Sequence, residues 1–125
     1  TDFWDKHAAV KPYIVADIDP RPETESKQSI AQFNALLDAD LCIQCGACHY
    51  ACPALEVNDA FLGPAALAAA YRFTADTRDE ATEDRLQITF ESGSGVWDCV
   101  KCFECAEACP KDVNPIEKIG KLHNM

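Results

Sequence analysis

The sequence predicts an all-α domain, and three observations carry that prediction. Nowhere does it show the sustained alternation of apolar and polar residues that marks a half-buried strand. Its apolar residues recur instead at three- and four-residue intervals in several short runs. Pro64 and Pro115 each stand directly before such a run, where a proline fits the first turn of a helix. At 125 residues with 48% hydrophobic content, the chain has room for one domain and an ordinary core.

The elements follow in order. Asp2 is an N-cap candidate for an opening helix in which Phe3, Trp4 and Val10 fall at roughly helical intervals, and Pro12 ends it. The stretch 17–29 holds Pro20, Pro22 and several charges and reads as an extended connector. Residues 1–29 thus form an N-terminal helix and connector, and 30–125 the body of one structural domain. Over 28–41, Ile30, Phe33, Leu36 and Leu37 predict an amphipathic helix that delivers a cysteine-rich loop. Pro64 and the alanine-rich run 65–79 predict a second helix, 83–91 a third ending near Gly93 and Gly95, and Pro115 to Leu122 a last one with Ile116 and Ile119 on one face.

Eight cysteines stand in two copies of one pattern. Cys42, Cys45, Cys48 and Cys52 precede Pro53, and Cys99, Cys102, Cys105 and Cys109 precede Pro110. Each copy reads C-x2-C-x2-C-x3-C-P, the spacing of a bacterial-type four-iron ferredoxin site. Three cysteines at intervals of three wrap one loop around three corners of a cubane, and in two-cluster ferredoxins the fourth ligates the other cluster. That rule assigns Cys42, Cys45, Cys48 and Cys109 to one [4Fe–4S] cluster and Cys99, Cys102, Cys105 and Cys52 to a second. The all-α fold is then an alpha-helical ferredoxin-like domain wrapped around both clusters. Cluster loss should unfold it, because metal binding and folding are coupled. Pro53 and Pro110 shape the loop exits. Gly46 gives backbone N–H groups close approach to the sulfurs or makes an ordinary tight turn. Ile43 and Phe103 are candidates for packing on the clusters and restricting water. Lys101 and His49 either tune potential or sit in solvent, and His7 and His123 read as surface residues.

Two other cysteine chemistries compete. Zinc modules pair two C-x2-C hooks across a longer loop, so a zinc-stapled interaction module fits this spacing poorly. Disulfides fit small secreted scaffolds, and no basic leader or apolar signal run is visible. Free thiols in this number imply a reducing compartment. The formal charge of −10 argues against binding nucleic acid; eight thiolates and two oxidised cluster cores would take it to about −14. No apolar stretch approaches the length of a membrane span. Arg72, Arg78 and Arg85 recur at roughly helical spacing, and salt bridges with Asp76, Asp79, Glu80 and Asp84 explain them better than a docking role.

The residues between the cysteine motifs carry a family resemblance. The run from Phe61 through Gly63 and Pro64 to Phe73, then Asp76 to Glu80 and Arg85-Leu86, resembles the corresponding segment of the iron–sulfur subunit of succinate dehydrogenase and fumarate reductase. So do the tail from Cys109 through Pro115 to Leu122 and the opening stretches Phe3 to Lys6 and Val10 to Tyr13. The resemblance covers nearly the whole chain and points to the C-terminal, two-cluster part of that subunit.

Three departures refine it. That subunit normally begins with a plant-type [2Fe–2S] domain bearing C-x4-C-x2-C, a motif not found in this sequence. The familiar quinone-linked branch has a non-cysteine at one ligand position and holds a three-iron cluster there, whereas all eight positions here are cysteine. The serine, tryptophan and histidine that contact quinone in that branch are matched here by the stretch Ala54 to Val57 and by Val100, so no quinone site carries over. The combination resembles the non-classical branch, whose membrane-associated partner is similar to a heterodisulfide reductase subunit. The resemblance implies an electron-transfer component, not catalytic alone, working between a flavoprotein (through a [2Fe–2S] domain missing from this chain) and a membrane-associated anchor. It also implies a cytoplasmic place at the inner face of the cell membrane. The small iron–sulfur subunit of a heterodisulfide reductase or thiol-linked fumarate reductase uses the same doubled motif and stands as the alternative, with Gly63-Pro64 to Phe73 favouring the first reading.

Overall fold

The computed structural model describes residues 2–15, 28–91 and 93–125, with Asp2 described by its backbone alone. Among these residues there are helices and turns and no strand, as the periodicity predicted. The connector over 17–27 and the Asp2 side-chain cap lie outside the described residues. The helices are α1 (Asp2–Ala9), α2 (Ile30–Asn34), α3 (Ala47–Ala51), α4 (Pro53–Val57), α5 (Pro64–Thr74), α6 (Thr82–Thr89), α7 (Glu104–Ala108) and α8 (Pro115–His123). Short 3-10 turns at Ala39–Leu41 and Val96–Asp98 lead into the two cysteine loops.

Helix α5 is the central post. Proline opens it, and its alanines let neighbours approach on nearly every side, so α1, α3, α6 and α8 all pack against it. Leu67, Ala70 and Tyr71 meet Val10, Phe61, Val96, Ile119 and Leu122 in one core. Burying each large apolar side chain there contributes about 2 kcal/mol. The helix predicted over 65–79 stops at Thr74. The Asp76 carboxylate accepts the Arg78 backbone N–H at 3.0 Å, a local turn that competes with further helix.

The segment 28–41 departs from its predicted single amphipathic helix. Ser29 and Gln32 form a reciprocal capping box, but α2 ends at Asn34. Leu36 and Leu37 then bond back three residues rather than four, and Asp38 takes a left-handed φ of 73°. Of the four apolar residues that suggested the helix, Leu36 alone is buried. The Tyr71 hydroxyl donates to the Ala35 carbonyl at 2.6 Å, so a tertiary bond satisfies the backbone group that a continuing helix would have used.

The three arginines pair as expected, with the partners redistributed. Arg72 and Arg78 both meet Asp76, at 2.8 and 2.7 Å, and Asp84 pairs with Lys11 at 3.5 Å. Hydrogen bonds from Arg78, then from Arg72, hold the Asp76 carboxyl well below the usual carboxylate range. Arg85 is fully buried against Asp79 at 2.6 Å and also donates to the carbonyls of Val10 and Lys11 at 2.8 and 3.1 Å. Burial pushes Asp79 up, but Arg85 and the N–H groups of Val15 and Ala81 together hold it below its ordinary value. This buried network fixes the exit of α1 against α6.

Candidate metal centres

The two cysteine loops share a backbone although their sequences differ. A 3-10 turn delivers Cys42 and Cys99, which take nearly the same extended conformation (φ −60°, ψ 125° and φ −71°, ψ 126°). Two residues on, Gln44 and Lys101 turn left-handed (φ 59° and 56°), and each backbone N–H donates to the preceding cysteine Sγ at 3.4 Å. Gly46 and Phe103 then take a second left-handed turn (φ 79° and 65°) and start α3 and α7. These helices carry Cys48 and Cys105, pack against each other, and end at Cys52 and Cys109, again alike in conformation.

The fourth cysteine of each motif crosses to the other loop. One cavity is lined by Cys42, Cys45, Cys48 and Cys109, with Phe3, Ile43, Ala65, Ala68 and Val113 as its apolar wall. A second is lined by Cys52, Cys99, Cys102 and Cys105, with Phe61, Val100, Phe103, Ile116 and Ile119 around them. Cys48 and Cys52 lie four residues apart on α3 and its cap, so one helical turn separates the two cavities.

The thiols are free of disulfides. Burial pushes Cys48 up to about 12, and the neighbouring sulfurs of Cys42, Cys105 and Cys109 push the same way. Burial likewise raises Cys105 to about 11, reinforced by Cys99, Cys102 and Cys52. Cys99 rises too, mainly by burial, with Cys52 and Cys102 adding to it. Cys48, Cys99 and Cys105 therefore hold their protons until a metal displaces them. Among the described residues no three His, Cys, Asp or Glu side chains meet closely enough to hold a single metal ion. The sulfurs ring a cavity instead, the arrangement that suits a polynuclear core with one thiolate at each iron.

The remaining expectations sort as follows. Ile43 and Phe103 each line a cavity while staying largely exposed, so they form outer walls. Pro53 opens α4, and Pro110 lines the first cavity. His49 is buried, edge-on to Phe3, with Nδ1 3.2 Å from where a Cβ on Gly63 would lie; Lys101 is exposed. His7, expected on the surface, is buried: α1 turns it inward with Phe3, one turn earlier on the same face. His123 is half-buried and packs edge-on to Trp97 at 4.3 Å. Sequence reasoning gave no role to Ala65, Ala68 or Val113. Their signal was the alanine-rich face of α5, which reads as ordinary helix packing until the cysteines are placed beside it.

Comparison with known proteins agrees with the geometry. The family described as 4Fe-4S dicluster domain matches residues 38–113. The succinate dehydrogenase iron-sulfur subunit of Paracoccus denitrificans is 39% identical over 126 aligned positions, covering 100% of this chain and 48% of the relative. The fumarate reductase iron-sulfur subunit of Mycobacterium tuberculosis is 38% identical over 97% of this chain and 49% of its own length. The mitochondrial succinate dehydrogenase [ubiquinone] iron-sulfur subunit 3 of Arabidopsis thaliana is 36% identical over 98% of this chain and 40% of its own length. The chain thus spans about half the length of the curated relatives it matches.

Proposed function

The chain belongs to the 4Fe-4S dicluster domain family, and from that premise we propose that it carries single electrons through two [4Fe–4S] clusters within a succinate dehydrogenase or fumarate reductase complex. The observation that carries this reading is the pair of four-thiol cavities, each assembled from both motifs and separated by one turn of α3. Cys42, Cys45, Cys48 and Cys109 would hold the first cluster, and Cys99, Cys102, Cys105 and Cys52 the second. Bound clusters supply reversible one-electron chemistry. The chain's own residues do the rest. Phe3, Ala65 and Val113 on one side and Phe61, Ile116 and Ile119 on the other exclude water, and the N–H groups of Gln44, Lys101 and Val113 (the last to Cys109 Sγ at 3.4 Å) bond to sulfur.

Within the complex, the partners we propose are a flavoprotein with a [2Fe–2S] domain on one side and a membrane-associated, heterodisulfide-reductase-like anchor on the other. No helix among the described residues is long and apolar enough to cross a membrane; the place we propose for the chain is peripheral, at the inner face, through that anchor. The completed set of eight cysteines supports the non-classical branch over one with a three-iron cluster.

EPR on anaerobically prepared protein tests the proposal. Silence in the oxidised protein and a spin-coupled signal after dithionite reduction are expected. A three-iron signal in intact oxidised protein would remove one cysteine from the ligand set and withdraw the branch and anchor assignment. No signal in either state, with zinc by elemental analysis, would end the electron-transfer reading.

A further inference from the structure

The two loops bond backbone N–H to sulfur in the same way, but their supports differ. In the first loop, the Gln44 side-chain amide donates to His7 Nε2 at 3.2 Å. Gln44 is the residue whose backbone N–H points at Cys42 Sγ, held in a left-handed conformation that its own side chain does not favour. His7 is buried on α1, its ring stacked on Phe3 with centroids 5.8 Å apart. Phe3 in turn walls the first cavity and lies 3.8 Å from where a Cβ on Gly46 would stand. The other histidine nitrogen, Nδ1, is buried without a hydrogen bond, so the bond to Gln44 is the ring's polar contact. An apolar residue would fill this face of α1 between Phe3 and Val10 without leaving a buried nitrogen unpaired. A histidine there is explained by what it holds. In the second loop, Lys101 and Phe103 occupy the equivalent positions and both are exposed.

We infer that α1 clamps the first cysteine loop and sets its cluster's midpoint potential apart from that of the second, with His7 as a positioning residue acting through Gln44. The inference rests on the reading that each thiol quartet holds a cluster. An N–H aimed at a cluster sulfur stabilises the reduced, more negative state. His7 fixes the Gln44 side chain, the side chain fixes its peptide, and the peptide keeps its N–H on Cys42. Loosening any link lowers that cluster's midpoint. In the second loop no hydrogen bond among the described residues holds the Lys101 side chain.

An EPR-monitored redox titration of the full chain tests this with His7→Leu, Gln44→Ala, the double variant and Phe103→Ala. His7→Leu keeps an apolar filling, and Gln44 is exposed, so its truncation leaves the core intact. Both single variants should lower the midpoint of the same signal and leave the other in place. The double variant should shift it no further than the larger single effect. Phe103→Ala should move the other signal. A midpoint that stays put or rises in both single variants, or two midpoints that fall together, would overturn the clamp. The unsubstituted chain keeps the two ideas apart. Absence of two reducible clusters there defeats the ligand reading, whereas two clusters insensitive to His7 and Gln44 defeat only the inference.

Discussion

The loop that begins at Cys42 and the one that begins at Cys99 follow the same backbone path with different residues at its tightest bend. The first uses Gly46 at φ 79°, and the second Phe103 at φ 65°. Glycine takes that conformation freely, whereas a residue with a Cβ gives up roughly 1–2 kcal/mol to do so. At Gly46 a side chain would meet Tyr50, four residues on in α3, at 3.1 Å, and Phe3 of α1, which lies over the loop, at 3.8 Å. No such cover lies over Phe103, which is free to extend across the cavity mouth. The path is therefore set by the cysteines and by the turns that flank them. The residue at the bend is chosen by what stands opposite it.

The largest test of this comparison exchanges the fourth cysteines. Cys109→Ser should damage the cluster of the first loop and Cys52→Ser that of the second, each losing between one iron, which leaves a three-iron core, and the whole cluster, since the iron at that corner loses its thiolate. Iron analysis with EPR would show whether the surviving signal belongs to the loop left with four cysteines. A loss confined to the substituted motif's own cluster would break the crossed assignment.

A smaller effect is expected from Arg85→Met. Removing one partner of a buried ion pair costs about 3–5 kcal/mol. It also frees the carbonyls of Val10 and Lys11, which hold the end of α1. Thermal unfolding should show the lower stability, and hydrogen exchange should show the amides around Gln44 opening before those around Lys101. Equal acceleration in both loops would mean that α1 does not distinguish them.

Cluster-stripped protein gives a third comparison and tests the coupling of metal and fold: in an unfolded chain both thiols titrate near the ordinary 9.0, whereas in a fold that survives stripping burial holds them higher. Thiolate is the reactive form, so alkylation of Cys105 should rise with a midpoint near pH 11 and that of Cys48 near pH 12, read by mass spectrometry. Both values lie above the ordinary 9.0, so the folded thiols hold their protons more tightly than unfolded ones do. The stability this contributes is complete below pH 9 and fades as pH climbs toward 12. Profiles that both rise near 9.0 would show that the stripped chain has unfolded.

The smallest effect concerns the bend itself. Gly46→Ala should destabilise by about 1 kcal/mol, because a Cβ at positive φ is strained and Tyr50 must shift. Phe103→Gly should change stability by less, since the relieved bend is offset by a lost ring and a more flexible unfolded chain. Denaturant melts of both variants would rank them, and a larger loss in Phe103→Gly would reverse the account.

Apolar periodicity made the all-helical class legible, and the cysteine spacing anticipated which four thiols line each cavity, because ligand geometry constrains sequence directly. Pro64 and Pro115 marked helix starts for an equally local reason. Residues 28–41 misled because Ile30, Phe33 and Leu37 keep helical spacing yet face outward, while one bond from Tyr71, far along the chain, decides where α2 ends. His7 misled in the same way. A lone histidine carries no signal of burial, and only the packing of α1 on the first loop reveals its neighbours. The arginine partners were half legible: the opposite charges were in view, but the choice of Asp76 for two arginines depends on a turn that spacing does not show.

The exchange of the fourth cysteines also sets an order of events during synthesis. When the ribosome has made Cys42, Cys45 and Cys48, the chamber they begin still lacks Cys109. About 60 residues must follow, several seconds of elongation. The second chamber has the opposite history, with Cys52 already waiting when Cys99 emerges. Neither chamber can close on a nascent chain that stops short of α7, so iron delivery belongs after translation of both motifs, and a truncated product would present at least the four bare thiols of the first motif to whatever metal is nearby.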